Sequence, residues 1–194
     1  MEEQKDVPVF KGAVIYGVIV GLASVVIGLI LYFIDMSLES WSGIFNTIVL
    51  VLLVLGSLVM FRKEYGKGYA SYGRLVLVSI IIGIVASLFS AAYNYTMYSV
   101  DEGYLQDTKY YAVEQMDKRM EKQDVKFQER FSDEQYEMAS ERMDQARKKA
   151  IQRIENQTPA KIALGNIFGM VFMSVIVGLI GAIFIRKQPK PQEL

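Results

Sequence analysis

Four carboxylates, Glu134, Glu137, Glu141 and Asp144, recur at helical spacing and would lie near one face of a helix, a row that can attract a divalent cation. A di-metal carboxylate bundle would also use Glu-x-x-His ligands, and this chain of 194 residues has no histidine. It has no cysteine either. A thiol nucleophile, a histidine base, a disulfide framework and a His/Cys zinc site are all excluded, and the serines have no recognisable base to activate them. Gly66-Lys67-Gly68 looks like a phosphate cradle but lacks the spacing of a P-loop and the strand before it, so it reads as a bend. The acidic row then reads as a solvated helix face. No catalytic residue, metal ligand or cofactor is expected, and the protein is not expected to be an enzyme. Its 21 basic and 21 acidic side chains also lack the basic excess of a nucleic-acid binder.

The elements that carry these residues come in two materials. Gly12 to Ile34, Trp41 to Phe61, Leu75 to Val100 and Ile162 to Ile185 are runs of 23, 21, 26 and 24 residues without a charge. Each exceeds the roughly 20 residues that a helix needs to cross a hydrocarbon core. Four such helices in one short chain would leave no amphipathic layer to cover them in water. The expected architecture is all-α: an integral membrane four-helix bundle with spans over 12–34, 41–61, 75–98 and 159–187. A charged extracytoplasmic helical hairpin over 101–158 separates the third and fourth spans, and a flexible tail follows over 188–194. The first run is expected to be retained as a span, because it is too long for a cleaved signal and its leader carries three acids.

Orientation follows from the short loops. Residues 35–40 hold Asp35 and Glu39 without a base, whereas 62–74 hold Arg62, Lys63, Lys67 and Arg74. Lys5, Lys11, Arg186, Lys187 and Lys190 add positive charge at the ends. The positive-inside rule places both termini and the 62–74 loop in the cytoplasm. The segment 101–161 carries twelve bases, but loops of that length translocate largely regardless of charge. Aromatic residues are expected at the inner interface (Phe10, Tyr16, Phe61, Tyr65, Tyr69, Tyr72) and at the outer one (Tyr32, Phe33, Trp41, Phe45, Tyr93, Tyr95, Tyr98). The basic and aromatic residues from Arg62 to Arg74 are expected to touch lipid headgroups.

Lipid tails are as apolar as leucine, so spans associate where small residues let backbones approach. The packing positions expected on this ground are Gly17, Gly21, Ser24 and Gly28 in the first span; Gly83, Ser87 and Ala91 in the third; and Gly165, Gly169, Gly178 and Ala182 in the fourth. The second span is mostly Val, Leu and Ile, and is expected to lie at the periphery. No Asp, Glu, Lys or Arg lies within a span. Proton relays and coupled ion paths usually show one, which weighs against a transporter.

The insertion holds 14 acids and 12 bases over 101–161. Apolar residues recur at Val113, Met116, Met120 and Phe127, then at Tyr136, Ala139, Met143, Ala146 and Ala150, the narrow stripes of two amphipathic helices. Ser132 and Gln135 fit a capping box that opens the second helix, and Thr158-Pro159 fits an N-cap and first-turn proline that restarts the chain as the last span. If the helices fold back at residues 131 and 132, residues equally far from the turn meet. Met120 then faces Met143 and Phe127 faces Tyr136, while Lys122, Lys126, Arg130 and Glu121 come level with Glu141, Glu137, Asp133 and Arg142. The alternative is that the stripes zip against another subunit.

From Phe61-Arg62-Lys63-Glu64-Tyr65 through Gly66-Lys67-Gly68-Tyr69-Ala70-Ser71-Tyr72-Gly73-Arg74, the chain resembles the family of small bacterial membrane proteins called domain of unknown function 4199. The likeness extends to Phe10-Lys11-Gly12-Ala13, Tyr16-Gly17, the acidic outer loop, the Met-rich insertion, Thr158-Pro159 and the basic tail. It implies a four-helix protein of the bacterial inner membrane and brings no activity, ligand or catalytic residue. The expected role is that of a non-enzymatic binding, sensing or assembly component using its external hairpin. Its partners would be membrane lipid and either another protein or a copy of itself. The competing expectation is a small transporter or channel subunit whose pore forms on oligomerisation.

Overall fold

A computed structural model describes residues 9–39, 41–66, 68–129 and 132–186, apart from the side chains of Asp133 and Glu134. Its elements are six helices: α1 Val9–Phe33, α2 Ser42–Glu64, α3 Tyr72–Val100, α4 Glu102–Gln128, α5 Asp133–Glu155 and α6 Pro159–Ile185, with no strand among the described residues. α1, α2, α3 and α6 are each long and apolar enough to cross a membrane.

The helix ends follow from local chemistry. α1 stops where Asp35 turns into the left-handed region at φ 55°, which lets Met36 N–H reach Leu31 O at 2.9 Å and Asp35 N–H reach Tyr32 O at 3.1 Å. α2 ends in a loop that folds over its own carbonyls: Gly66 N–H bonds Phe61 O and Gly68 N–H bonds Arg62 O. Gly68 sits at φ 87°, and a Cβ on Gly66 would run into the carbonyls of Tyr69 and Arg62, so both positions require glycine. Asp101 caps α4 by accepting from Tyr104 N–H at 2.9 Å. Thr158 Oγ1 accepts from Lys161 N–H ahead of α6, with Pro159 in its first turn. The capping box expected at Ser132 does not form: its backbone is extended as an N-cap requires, but its side chain makes no cap bond.

The chain divides into two compact units, residues 1–95 with 163–194, and residues 96–162. In the first, Val20, Val54, Leu58, Phe61, Leu75, Val78 and Ile82 are fully buried. α1 lies against α2 and α3, and α6 against α3 and α2, as the glycine neighbours below establish. α2, expected at the periphery, is the least buried of the four apolar helices, yet the second half of it reaches the core. It enters through Val54, Leu58 and Phe61, with Phe61 filling the space where α1 presents Gly12, and Leu55 and Leu58 the space where α6 presents Gly181. The outer surface is as apolar as the inner: Ile15, Ile19, Leu22, Val26 and Ile30 line the exposed side of α1, and Phe168, Phe172 and Phe184 that of α6. Such a surface belongs in lipid.

In the second unit α4 and α5 run antiparallel, as three contacts fix. Arg147 donates to both carboxylate oxygens of Asp117 at 2.9 Å, Lys109 Nζ donates to Glu155 O at 3.0 Å, and Tyr136 hydroxyl donates to Asp124 at 3.0 Å. α4 has no fully buried residue, so this unit coheres through a half-buried stripe.

Candidate functional site

Glycine contacts shape the first unit. A Cβ on Gly17 would come within 2.6 Å of Val85 Cβ, one on Gly21 within 2.8 Å of the Phe89 ring, and one on Gly28 within 2.9 Å of Tyr93. These contacts climb α1 and α3 together, so the two helices run parallel. Gly83 meets Ser174 and Gly178 meets Ser79, which pairs α3 with α6 in the antiparallel sense. Ser87 is buried and donates to Ile84 O, Ala91 and Ala182 are buried, and Ser24 donates to Val20 O. Gly165 and Gly169 differ from expectation: both are exposed, and a Cβ on either would meet nothing within 4 Å. Gly12 against Phe61 and Tyr65, and Gly181 against Leu55, were not legible as contacts, because spacing alone does not say which glycine has a large residue opposite.

The ends of α1, α2, α3 and α6 nearest the 65–71 loop form a clasp. Tyr16 hydroxyl donates to Glu64 at 2.7 Å, and the Tyr65 ring meets Tyr16 edge-on while stacking on Phe61. Arg62 Nη1 donates to Ile185 O at 2.7 Å, placing a guanidinium on the negative end of α6. Tyr72 hydroxyl donates to Leu179 O. Arg62 and Tyr72 thus tie helices together where headgroup contact was expected. Tyr16, Phe61 and Tyr98 are buried, not interfacial anchors, whereas Phe10, Phe33, Trp41, Tyr69 and Tyr95 are exposed. Tyr98 stacks on Tyr104. Lys67 lies outside the described residues. The amides of Gly66, Gly68 and Tyr69 are committed to backbone carbonyls, so the bend has no free N–H cradle for an anion at those positions.

The α4–α5 pair carries a groove on each side of its seam. One, of about 540 Å³, has Val113, Met120 and Met143 as its floor, with Glu114, Glu121 and Asp144 among its walls. The other, of about 500 Å³, is lined by Phe127, Met138, Ala139, Met143 and Ala146 together with Arg142. Met116 and Ala150 are half-buried, and Tyr136 bridges to Asp124 and Gln128. Among the described residues the ion pair between the helices is Asp117–Arg147, and Lys118 pairs with Glu114 within α4. Arg147 holds the Asp117 carboxyl below its ordinary pKa by hydrogen bonding, with Coulombic attraction adding to the effect, while desolvation opposes it. The pairs expected from height, Lys122–Glu141, Lys126–Glu137 and Glu121–Arg142, are not made. Glu121 and Arg142 line opposite grooves, so equal height does not bring them together. The Arg130–Asp133 pair lies outside the described residues. Glu137, Glu141 and Asp144 are exposed, Glu134's side chain is outside the described set, and no metal-holding cluster occurs among the described residues.

Neither a curated protein nor a solved structure matches the chain. The family described as Protein of unknown function (DUF4199) matches residues 15–187. That match runs from within α1 to just past the end of α6, so it includes the glycine contacts from Gly17 onward, the clasp and the α4–α5 pair. With four apolar membrane-capable helices, an apolar exterior and this match over most of its length, the chain belongs to the DUF4199 family.

Proposed function

We propose that this protein is a non-enzymatic component of the bacterial inner membrane that binds, senses or assembles through the α4–α5 segment, held outside the membrane as a helical hairpin. Both termini and the 65–71 loop face the cytoplasm in this reading, as the distribution of Lys and Arg around the spans favours. The observation that carries it is the contrast between the two units. The apolar helices have charge-free cores and a clasp occupied with its own hydrogen bonds, whereas α4 and α5 expose two grooves and a dense array of charges, few of which form ion pairs among the described residues.

Topology and role are tested together. The chain has no native cysteine, so single substitutions Gln123→Cys and Ser71→Cys can be labelled in intact spheroplasts with an impermeant thiol reagent. Labelling of the first alone is the expected result; labelling of the second alone would reverse the orientation. A photo-reactive residue at position 138, in the second groove, should give discrete adducts in growing cells, and an even smear would remove the binding role. Solute flux in reconstituted vesicles that disappears on Asn94→Ala or Asn166→Ala would replace this reading with that of a transporter.

A further inference from the structure

The charges of the second unit are sorted by face. With about 100° between successive residues, Glu114, Glu121 and Asp124 of α4 fall on the same side of the seam as Glu137, Glu141 and Asp144 of α5. Four of these six line the first groove. Arg119 and Lys126 of α4 fall on the other side with Arg142, Lys149 and Arg153 of α5, and Arg142 lines the second groove. Lys118, Arg147 and Lys148 are the exceptions on the acidic side; Lys118 is already paired with Glu114 and Arg147 with Asp117. Lys122 lies on the outer edge of α4. Each face has an apolar floor, Val113 and Met120 on one and Met138 and Ala146 on the other.

One plate thus carries complementary charge on its two faces, and the levels match as well. Where the unlike faces of two like-oriented copies meet, α4 lies over α4 and α5 over α5, and there Arg119 and Lys126 stand within two residues of Glu121 and Asp124, and Arg142 within two of Glu141 and Asp144. Copies in one membrane share one direction, so their hairpins stand tip beside tip and residues of equal height come level. We propose that the partner of this segment is a second copy of the chain, the acidic face of one hairpin seated on the basic face of the next. This rests on the reading of α4–α5 as a binding module and names its occupant. Unlike faces meet, so the contact is heterologous and builds a ring or an open row, not a two-fold dimer. Confinement to one membrane raises the effective concentration, so individually weak exposed pairs suffice in number.

The test uses full-length protein in phosphatidylcholine vesicles and a short flexible bis-maleimide. Arg142→Cys and Glu121→Cys chains, mixed, should crosslink, and neither should do so alone; a single chain with both substitutions should give a ladder beyond the dimer. Reversing the basic face with Arg119→Glu and Arg142→Glu, monitored through Lys149→Cys and Glu114→Cys, should cut the product at least fivefold. Adding Glu121→Arg and Asp144→Arg should restore it. Product from either single variant alone, or no product from the mixture, overturns the proposal. Product that forms in phosphatidylcholine but vanishes in phosphatidylglycerol vesicles also overturns it, by assigning the basic face to anionic headgroups. An intramolecular disulfide between Met120→Cys and Met143→Cys keeps the two readings apart: if it forms while the mixture fails, only self-recognition is lost, and if it too fails, the hairpin itself is lost.

Discussion

The two units solve the problem of cohesion with opposite means. In the bundle of α1, α2, α3 and α6, glycines let backbones approach until Val85, Phe89, Tyr93 and Leu55 fill the vacated space, and large apolar side chains are exposed on the outside as well as buried within. Shape complementarity must do the work there, because lipid offers no hydrophobic drive between spans. The α4–α5 pair has no fully buried residue in α4, a half-buried methionine seam and one bidentate ion pair. Water supplies a hydrophobic drive for that seam, and charge sets its register. The bundle should therefore be intolerant of added volume and indifferent to salt, and the pair the reverse.

The largest expected effect breaks the bundle. A Cβ on Gly178 already collides with the Ser79 hydroxyl, so Gly178→Leu should destabilise by about 3 kcal/mol in detergent unfolding, whereas Gly169→Leu should change stability by less than about 0.5 kcal/mol. Equal tolerance at both sites would mean that close approach does not hold these helices. Next, Gly68→Ala, which forces a side chain to φ 87°, and Tyr16→Phe, which removes the hydroxyl bond to Glu64, should each cost about 1 kcal/mol by the same measurement.

The second unit gives smaller effects of a different kind. In titration by NMR, the Asp117 carboxyl should have a midpoint below the ordinary carboxylate value, and Arg147→Gln should return it there. A lowered native pKa stabilises above the unfolded value, and that contribution is lost as pH falls through the native one. Acid below about pH 4 should accordingly loosen the α4–α5 pair before it affects the bundle. Molar salt should weaken the Asp117–Arg147 contact, read as faster hydrogen exchange in α4 and α5, with no change in α1 or α3. Equal salt sensitivity in both units would erase the distinction.

Much of this was legible from one-dimensional pattern. Charge-free runs marked all four spans to within a few residues, because a helix in lipid must be apolar all round and so needs no knowledge of its neighbours. Thr158-Pro159 marked the restart of α6, because capping is a local exchange of hydrogen bonds. Facing was illegible. Span two looked like a bystander because it is mostly Val, Leu and Ile, yet it supplies Val54, Leu58 and Phe61 to the core, and Phe61, Leu55 and Leu58 are the large partners that Gly12 and Gly181 admit. Arg62 looked like a headgroup contact and instead bonds the end of α6, a partner more than a hundred residues away.

The composition and order of residues by themselves determined which segments belong in lipid, where the chain turns, and that acids and bases in the insertion come level in pairs. Only tertiary structure decided that α4 and α5 meet across one seam within the chain, which glycines meet a neighbour, and that Gly165 and Gly169 meet none. The physical reason is that length, hydropathy and capping are sums over neighbours in sequence. Rotation about a helix axis is fixed instead by the shape and volume of what lies across from it.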